Sequence, residues 1–170
     1  MIYPIIVPQF SKMLGNLLAI FDKAALHAET KKFELEVLLH ARLAPDQFDL
    51  IRQVQVACDT AKLGAAKLAN KEQDAPSHPD TEQSLADIRT RIQSVITYLG
   101  TFSEADFADA AERRITQPRW KGKSLSGQEF LLQHVVPNFY FHVTTAYAIL
   151  RHNGVEVGKK HYLGELPYKE

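Results

Sequence analysis

The stretch that decides the fold covers residues 124–154, SLSGQEFLLQHVVPNFYFHVTTAYAILRHNG. It opens on Ser126-x-x-Glu129, a hydroxyl and a carboxylate spaced to satisfy each other's backbone N–H groups at a helix start. It closes with Arg151 and His152 ahead of Gly154, cations and a flexible residue suited to the carbonyl end of a helix. At roughly 100° per residue, Leu132, Val136, Phe139, Val143, Tyr147 and Leu150 fall on one apolar stripe. Leu131, His134, Asn138, His142, Thr145 and Ile149 fall on a second stripe, and only a narrow sector with Gln133, Thr144 and Arg151 is left for water. A helix covered on two sides is central in a bundle or lies at a subunit interface. Its second stripe sets polar, ligand-capable groups among apolar ones, so chemistry is sought there.

Working outward, the rest of the chain supplies partners for that helix. Pro4 and Pro8 fit only the first turn of a helix, which places the start of a first long helix near them. Ile6, Phe10, Met13, Leu17, Ile20, Phe21 and Ala24 carry it to about Glu29. Lys31 to Leu43 holds a shorter helical pattern ending at Ala44-Pro45. Asp46 is the expected N-cap of a second long helix. Its stripe, Leu50, Val54, Ala57, Cys58, Ala61, Ala65 and Leu68, is mostly small and lets another helix approach closely. Gln55, Asp59 and Lys62 run along the edge of that stripe.

Residues 70–80, with two prolines, read as a loop. Asp80 or Thr81 is expected to cap a third long helix through Leu85, Ile88, Ile92, Val95, Ile96 and Leu99, which stops at Gly100. Ser103 to Phe107 reads as a short capped helix, and 113–123 as a loop or small hairpin. The tail after Gly154 is expected to be extended, strapped down by Val155, Val157, Tyr162 and Leu163. The whole predicts an all-α chain: one four-helix bundle domain over residues 1–170, with short extra helices and an extended C-terminal tail.

Composition sets limits. Lys plus Arg and Asp plus Glu number 20 each, so no charge field draws the chain to nucleic acid or an anionic membrane. A single cysteine, Cys58, excludes an intramolecular disulfide and fits a reducing compartment. The opening MIYPIIVPQF lacks a basic region, and it reads as too short and proline-broken for a signal peptide or membrane span. A soluble cytoplasmic protein is expected.

Two segments, PNFYFHVTTAYAILRHNGVEVGKKHYLG (137–164) and RQVQVACDTAKLGAAKLA (52–69), make the chain resemble the DinB/YfiT-like superfamily of four-helix bundles. The resemblance is closest to a bacterial branch of unknown function, and it covers most of the chain. It implies a bundle that is often dimeric, with a pocket at one end. In many superfamily members three histidines there hold a divalent metal, two at i and i+4 on the last helix and one on the second. Some relatives are thiol-dependent transferases or isomerases. In this chain His142 stands where the second histidine of the last helix is expected, but Asn138 stands at the first. The second helix offers Gln55 and Asp59 and no histidine between Ala41 and Ser77.

The candidate site is therefore a small polar pocket between the second and fourth long helices, built from His142, Asn138, Asp59 and Gln55, with His134 and Tyr140 as further candidate members. An imidazole and a carboxylate make a partial ligand set for zinc, nickel or manganese, with His142 as anchor. The same groups also make a buried hydrogen-bond network, with His142 donating to Asp59 and Asn138 bridging through water. His134 lies one turn before Asn138, roughly 12 Å along the axis from His142 and too far to share an ion with it. Pro137 is expected to kink the helix and free the Gln133 carbonyl. Tyr140 and Tyr147 bring hydroxyls near the stripe, and Cys58 reads as an inert packed thiol. Arg113, Arg114, Arg119, Lys121 and Lys123, with Trp120, form one basic cluster before the last helix: a solvated loop, or an anion site at that helix start.

These residues lead to a DinB-like bundle protein with a polar pocket, expected to be a homodimer and to take a small-molecule ligand. One alternative is a metal- or thiol-dependent transferase or isomerase using His142 as ligand or base. Another is a non-catalytic, dimeric ligand-binding or structural module.

Overall fold

In the computed structural model, which describes residues 2–169, the first long helix runs through its prolines and does not start at them. This helix, α1, spans Ile2–Lys31. Pro8 sits inside a π segment, Ile5–Gln9. Proline lacks an N–H and its ring crowds the carbonyl one turn back, and a widened turn relieves both. Among the described residues α1 is the one helix long and apolar enough to cross a membrane. Phe10, Leu14, Leu17, Phe21 and Ala24 turn that apolarity into the core.

The next pattern shrinks to one turn, α2 (Glu36–Leu39), whose Leu38 and Leu39 are buried. Helix α3 (Leu50–Ala69) is capped by Asp49, not Asp46, with the Asp49 carboxylate accepting from the Arg52 N–H at 3.0 Å. Helix α4 (Leu85–Leu99) is capped by Ser84 with Asp87, not by Asp80 or Thr81. Asp80 instead reaches a guanidinium on α4, as described below. Strands β1 (Arg114–Thr116) and β2 (Ser124–Ser126) pair antiparallel with Ile115 opposite Leu125, making the hairpin that leads into the last long helix. That helix, α5, covers residues 127–152. The tail is not wholly extended: a short helix, α6 (Lys159–Leu163), packs on α1.

Most of the described chain is helical, and its long helices pack on one apolar core. Helix α3 packs against α5 and α4, and α1 packs against α4 and α5. The small-residue stripe of α3 from Leu50 to Leu68 is fully buried. Phe10 of α1 stacks on Phe139 of α5 with ring centroids 3.9 Å apart. Full burial of side chains of this size is worth about 1.5–3 kcal/mol each.

Helix α5 also absorbs its proline by widening. Residues Leu131–Val135 form a π segment just before Pro137, and the Val136 N–H reaches the Leu131 carbonyl five residues back. The extra residue rotates everything before it by roughly 100° relative to a plain helix. Leu132, placed on a core stripe by simple periodicity, is therefore 48% exposed, while Phe130 is 2% exposed. Both π segments seat on one glycine. A Cβ on Gly64 of α3 would stand 2.7 Å from a Val135 methyl and 3.4 Å from Ile6.

Candidate functional site

Three contacts fix how α5 lies on α3. His142 meets Gln53, Asn138 meets Thr60, and Val135 meets Gly64, so the two helices run antiparallel. Where the α5 π segment bulges, the hairpin turn folds over the seam and leaves a cleft of about 400 Å3. Its α3 wall carries Val56, Asp59, Thr60, Leu63, Gly64 and Lys67, and its α5 wall carries Phe130, His134, Val135 and Asn138. Gln117, Pro118 and Arg119 close one side. Trp120 holds that turn in place by packing edge-on against Phe130 and His134, both at 6.0 Å between centroids.

Of the six expected site residues, the cleft gathers three: Asp59, Asn138 and His134. The Asn138 amide donates to Thr60 Oγ1 at 2.7 Å. Arg119 Nη2 lies 3.1 Å from His134 Nε2. A guanidinium only donates, so His134 accepts there and carries its proton on Nδ1. Burial first, then the Arg119 charge, push the His134 pKa below its ordinary value. The other three lie elsewhere. Tyr140 accepts from Gln9 Nε2 at 3.0 Å, tying α5 to α1. Gln55 accepts from Arg52 at 3.0 Å and donates to Glu82 at 2.8 Å. His142 is buried away from the cleft, and its partner is Gln53 Oε1 at 2.7 Å, not Asp59. Gln53 faces α5 at that level, whereas Asp59 is nearly two turns further along α3.

The Gln53 oxygen accepts, so His142 donates from Nδ1, while Gln53 Nε2 donates to the Phe48 carbonyl at 3.1 Å. Burial and then the nearby Arg52 charge lower the His142 pKa and keep the ring neutral. One imidazole beside a committed amide does not fit the divalent-metal site implied by the superfamily resemblance. Among the described residues no three histidine, cysteine or carboxylate side chains gather as a metal would need. Cys58 is fully buried on α3, and burial first of all raises its pKa to about 12, which leaves it a thiol.

Sequence reasoning missed the cluster that Asp59 does join. Arg91 of α4 has a side chain 1% exposed. Its Nη2 lies 3.0 Å from Asp59 Oδ1, and its Nη1 donates to Asp80 and Glu82 at 2.9 Å each. Arg52 adds a further contact to Asp80. Burial pushes both the Asp80 and Glu82 pKa values up, but the guanidinium hydrogen bonds outweigh it and hold both below the usual carboxylate range. On the other side of Asp59, Lys62 lies 3.0 Å from Asp59 and 3.0 Å from His78 Nδ1. An ammonium only donates, so His78 accepts there and donates from Nε2 to Ser94 at 2.9 Å. The cluster ties the 70–84 loop to α3 and α4. Residue spacing sets Arg91 beside Ile88 and Val95 on the buried side of α4, but it could not reveal the partners Asp80 and Glu82, which come from a loop outside the helix.

Three histidines, His78, His134 and His142, thus have pKa values below the ordinary imidazole value; for His78 burial leads, followed by Lys62 and Arg91. A group depressed on folding stabilises fully above its unfolded pKa, about 6.5, and loses that contribution as pH falls toward its folded pKa. The melting temperature is therefore expected to drop between pH 7.5 and 5.5, and His78→Gln is expected to reduce the slope. A flat melting temperature over that interval would contradict the lowered pKa values of these rings.

A family described as a domain of unknown function, DUF1993, matches residues 2–163. Among solved structures the chain is similar to the crystal structure of a DinB family member protein from Shewanella denitrificans. The two share 64% sequence identity and a TM-score of 0.98, over 100% of this chain and 96% of that one. A comparison with curated proteins gave no match.

Proposed function

Because this chain belongs to the DinB-like DUF1993 family, we propose that it is a ligand-binding four-helix bundle, a single domain whose site is the cleft between α3, α5 and the hairpin turn. The observation that carries this reading is the convergence of Asn138, His134 and Asp59 on one 400 Å3 space with apolar walls. A few polar groups set in an apolar cleft of that size are the usual make-up of a small-molecule site. A π segment bordering the cleft supports the same place, since such irregularities concentrate at functional positions. The alternative of metal- or thiol-dependent transfer has less to stand on, because His142 has a single amide partner and Cys58 is held as a buried thiol. A homodimer belongs to this reading, favoured by the exposed rings of Phe48 and Phe141, and so does a cytoplasmic setting, which suits an unpaired cysteine.

The test is a ligand-observed NMR fragment screen on the wild type and on Leu63→Trp. Leu63 lines the cleft and is 42% exposed, so a larger ring there fills the space without entering the core. Fragment hits are expected to disappear in the variant. Hits that persist unchanged place binding elsewhere and refute the reading.

A further inference from the structure

We propose that the ligand of this cleft carries an oxyanion, a carboxylate or phosphate, on an apolar body, and that Arg119 receives it; this rests on the cleft being the binding site. The argument begins with charge. The cleft is lined by one carboxylate, Asp59, and two cations, Lys67 and Arg119. Asp59 is already matched by Arg91 and Lys62, each 3.0 Å away. Lys67 is matched by Glu72 at 2.8 Å. Among the described residues Arg119 has no carboxylate partner, and its one hydrogen bond goes to a neutral imidazole. A local field that is positive at Arg119 remains in a chain whose total charge is zero.

Geometry points the same way. A guanidinium has five N–H donors in a planar fork, and His134 takes one of them, at Nη2. The rest of the fork can bind an oxyanion in bidentate fashion. The imidazole lone pair and the Pro118–Trp120 turn position the fork in advance, and Trp120 pins that turn to Phe130. The antiparallel register separates the ends of the site. His134 lies near the level of Leu63 and Lys67, whereas Asp59 and Asn138 lie about one turn further along, so the anionic end of a ligand is kept off the carboxylate. The Val56, Leu63 and Val135 side chains that line the cleft suit an apolar body.

Trp120 is the only tryptophan and packs directly behind the cleft, against its lining residues Phe130 and His134, so its fluorescence reports occupancy. Benzoate and phenyl phosphate are titrated against neutral benzamide on the wild type, on Arg119→Gln and on Lys121→Gln. Lys121 is exposed in the same turn and lies outside the cleft, so its variant removes the same charge without touching the fork. Both anions are expected to bind more tightly than benzamide. Arg119→Gln is expected to weaken the anions by about tenfold or more and leave benzamide unchanged, while Lys121→Gln has little effect. Anions bound no better than benzamide, or weakened equally by the two variants, overturn the assignment to Arg119 and leave the cleft standing as a site. If neither class of probe binds, the assignment and the cleft fall together.

Discussion

Arg91→Met is expected to lower stability by about 3–5 kcal/mol, the range for removing one partner of a buried ion pair and stranding the other. The loss is large because three carboxylates depend on this guanidinium: Asp59, Asp80 and Glu82 all lie within 3.0 Å of it. Glu82 is nearly as buried, with a side chain 9% exposed. Methionine keeps much of the volume and none of the charge, so the variant isolates electrostatics from packing. Arg89→Met, two residues away on the same helix, is the comparison. Arg89 pairs with Asp22 at the surface, and exposed pairs are worth about 0–1 kcal/mol. Urea denaturation of the two variants at pH 7 reads the difference directly. Equal midpoints would mean that the cluster contributes no more than a surface pair.

The second large effect is expected at Gly127, the first residue of α5. A Cβ there would stand 1.7 Å from the Ala110 carbonyl oxygen and 3.1 Å from a Leu68 methyl. Neither side can retreat easily: the Gln128 N–H is bonded to the Ala111 carbonyl at 2.9 Å, and Ser126 and Glu129 lock the helix start. Gly127→Ala should therefore cost about 3 kcal/mol, the upper end of ordinary overpacking. Gly15→Ala is its opposite. Nothing lies within 4 Å of a Cβ there, in mid-helix, and relief of backbone entropy should stabilise by about 0.5–1 kcal/mol. A Gly127→Ala melting temperature at or above that of Gly15→Ala would contradict the close approach.

Helix existence was legible wherever a single stripe governed it. The runs from Leu50 to Leu68 and from Ile88 to Leu99 lie where periodicity puts them, because nothing interrupts their turns. Periodicity failed at Leu132, where one extra residue before Pro137 shifts the count, and a stripe carries no sign of a π turn. Caps were off by a few residues at Asp46 and Asp80 because several oxygens stand near each helix start and only the loop path selects among them. The site was half legible. Asn138, His134 and Asp59 share the cleft because α3 and α5 pack in the order their stripes suggest. Gln53 as the partner of His142 depended on the antiparallel register, which no single helix encodes. Arg119 depended on a hairpin turn folding back over the seam.

Cys58 links these helices to time. Its thiol sits with no exposed surface in the middle of α3, the helix that packs against both α4 and α5. A reagent in solution cannot meet that sulfur while the helix is seated, so the interior carries its own clock: chemical modification of the lone thiol proceeds only as fast as α3 comes away from its neighbours.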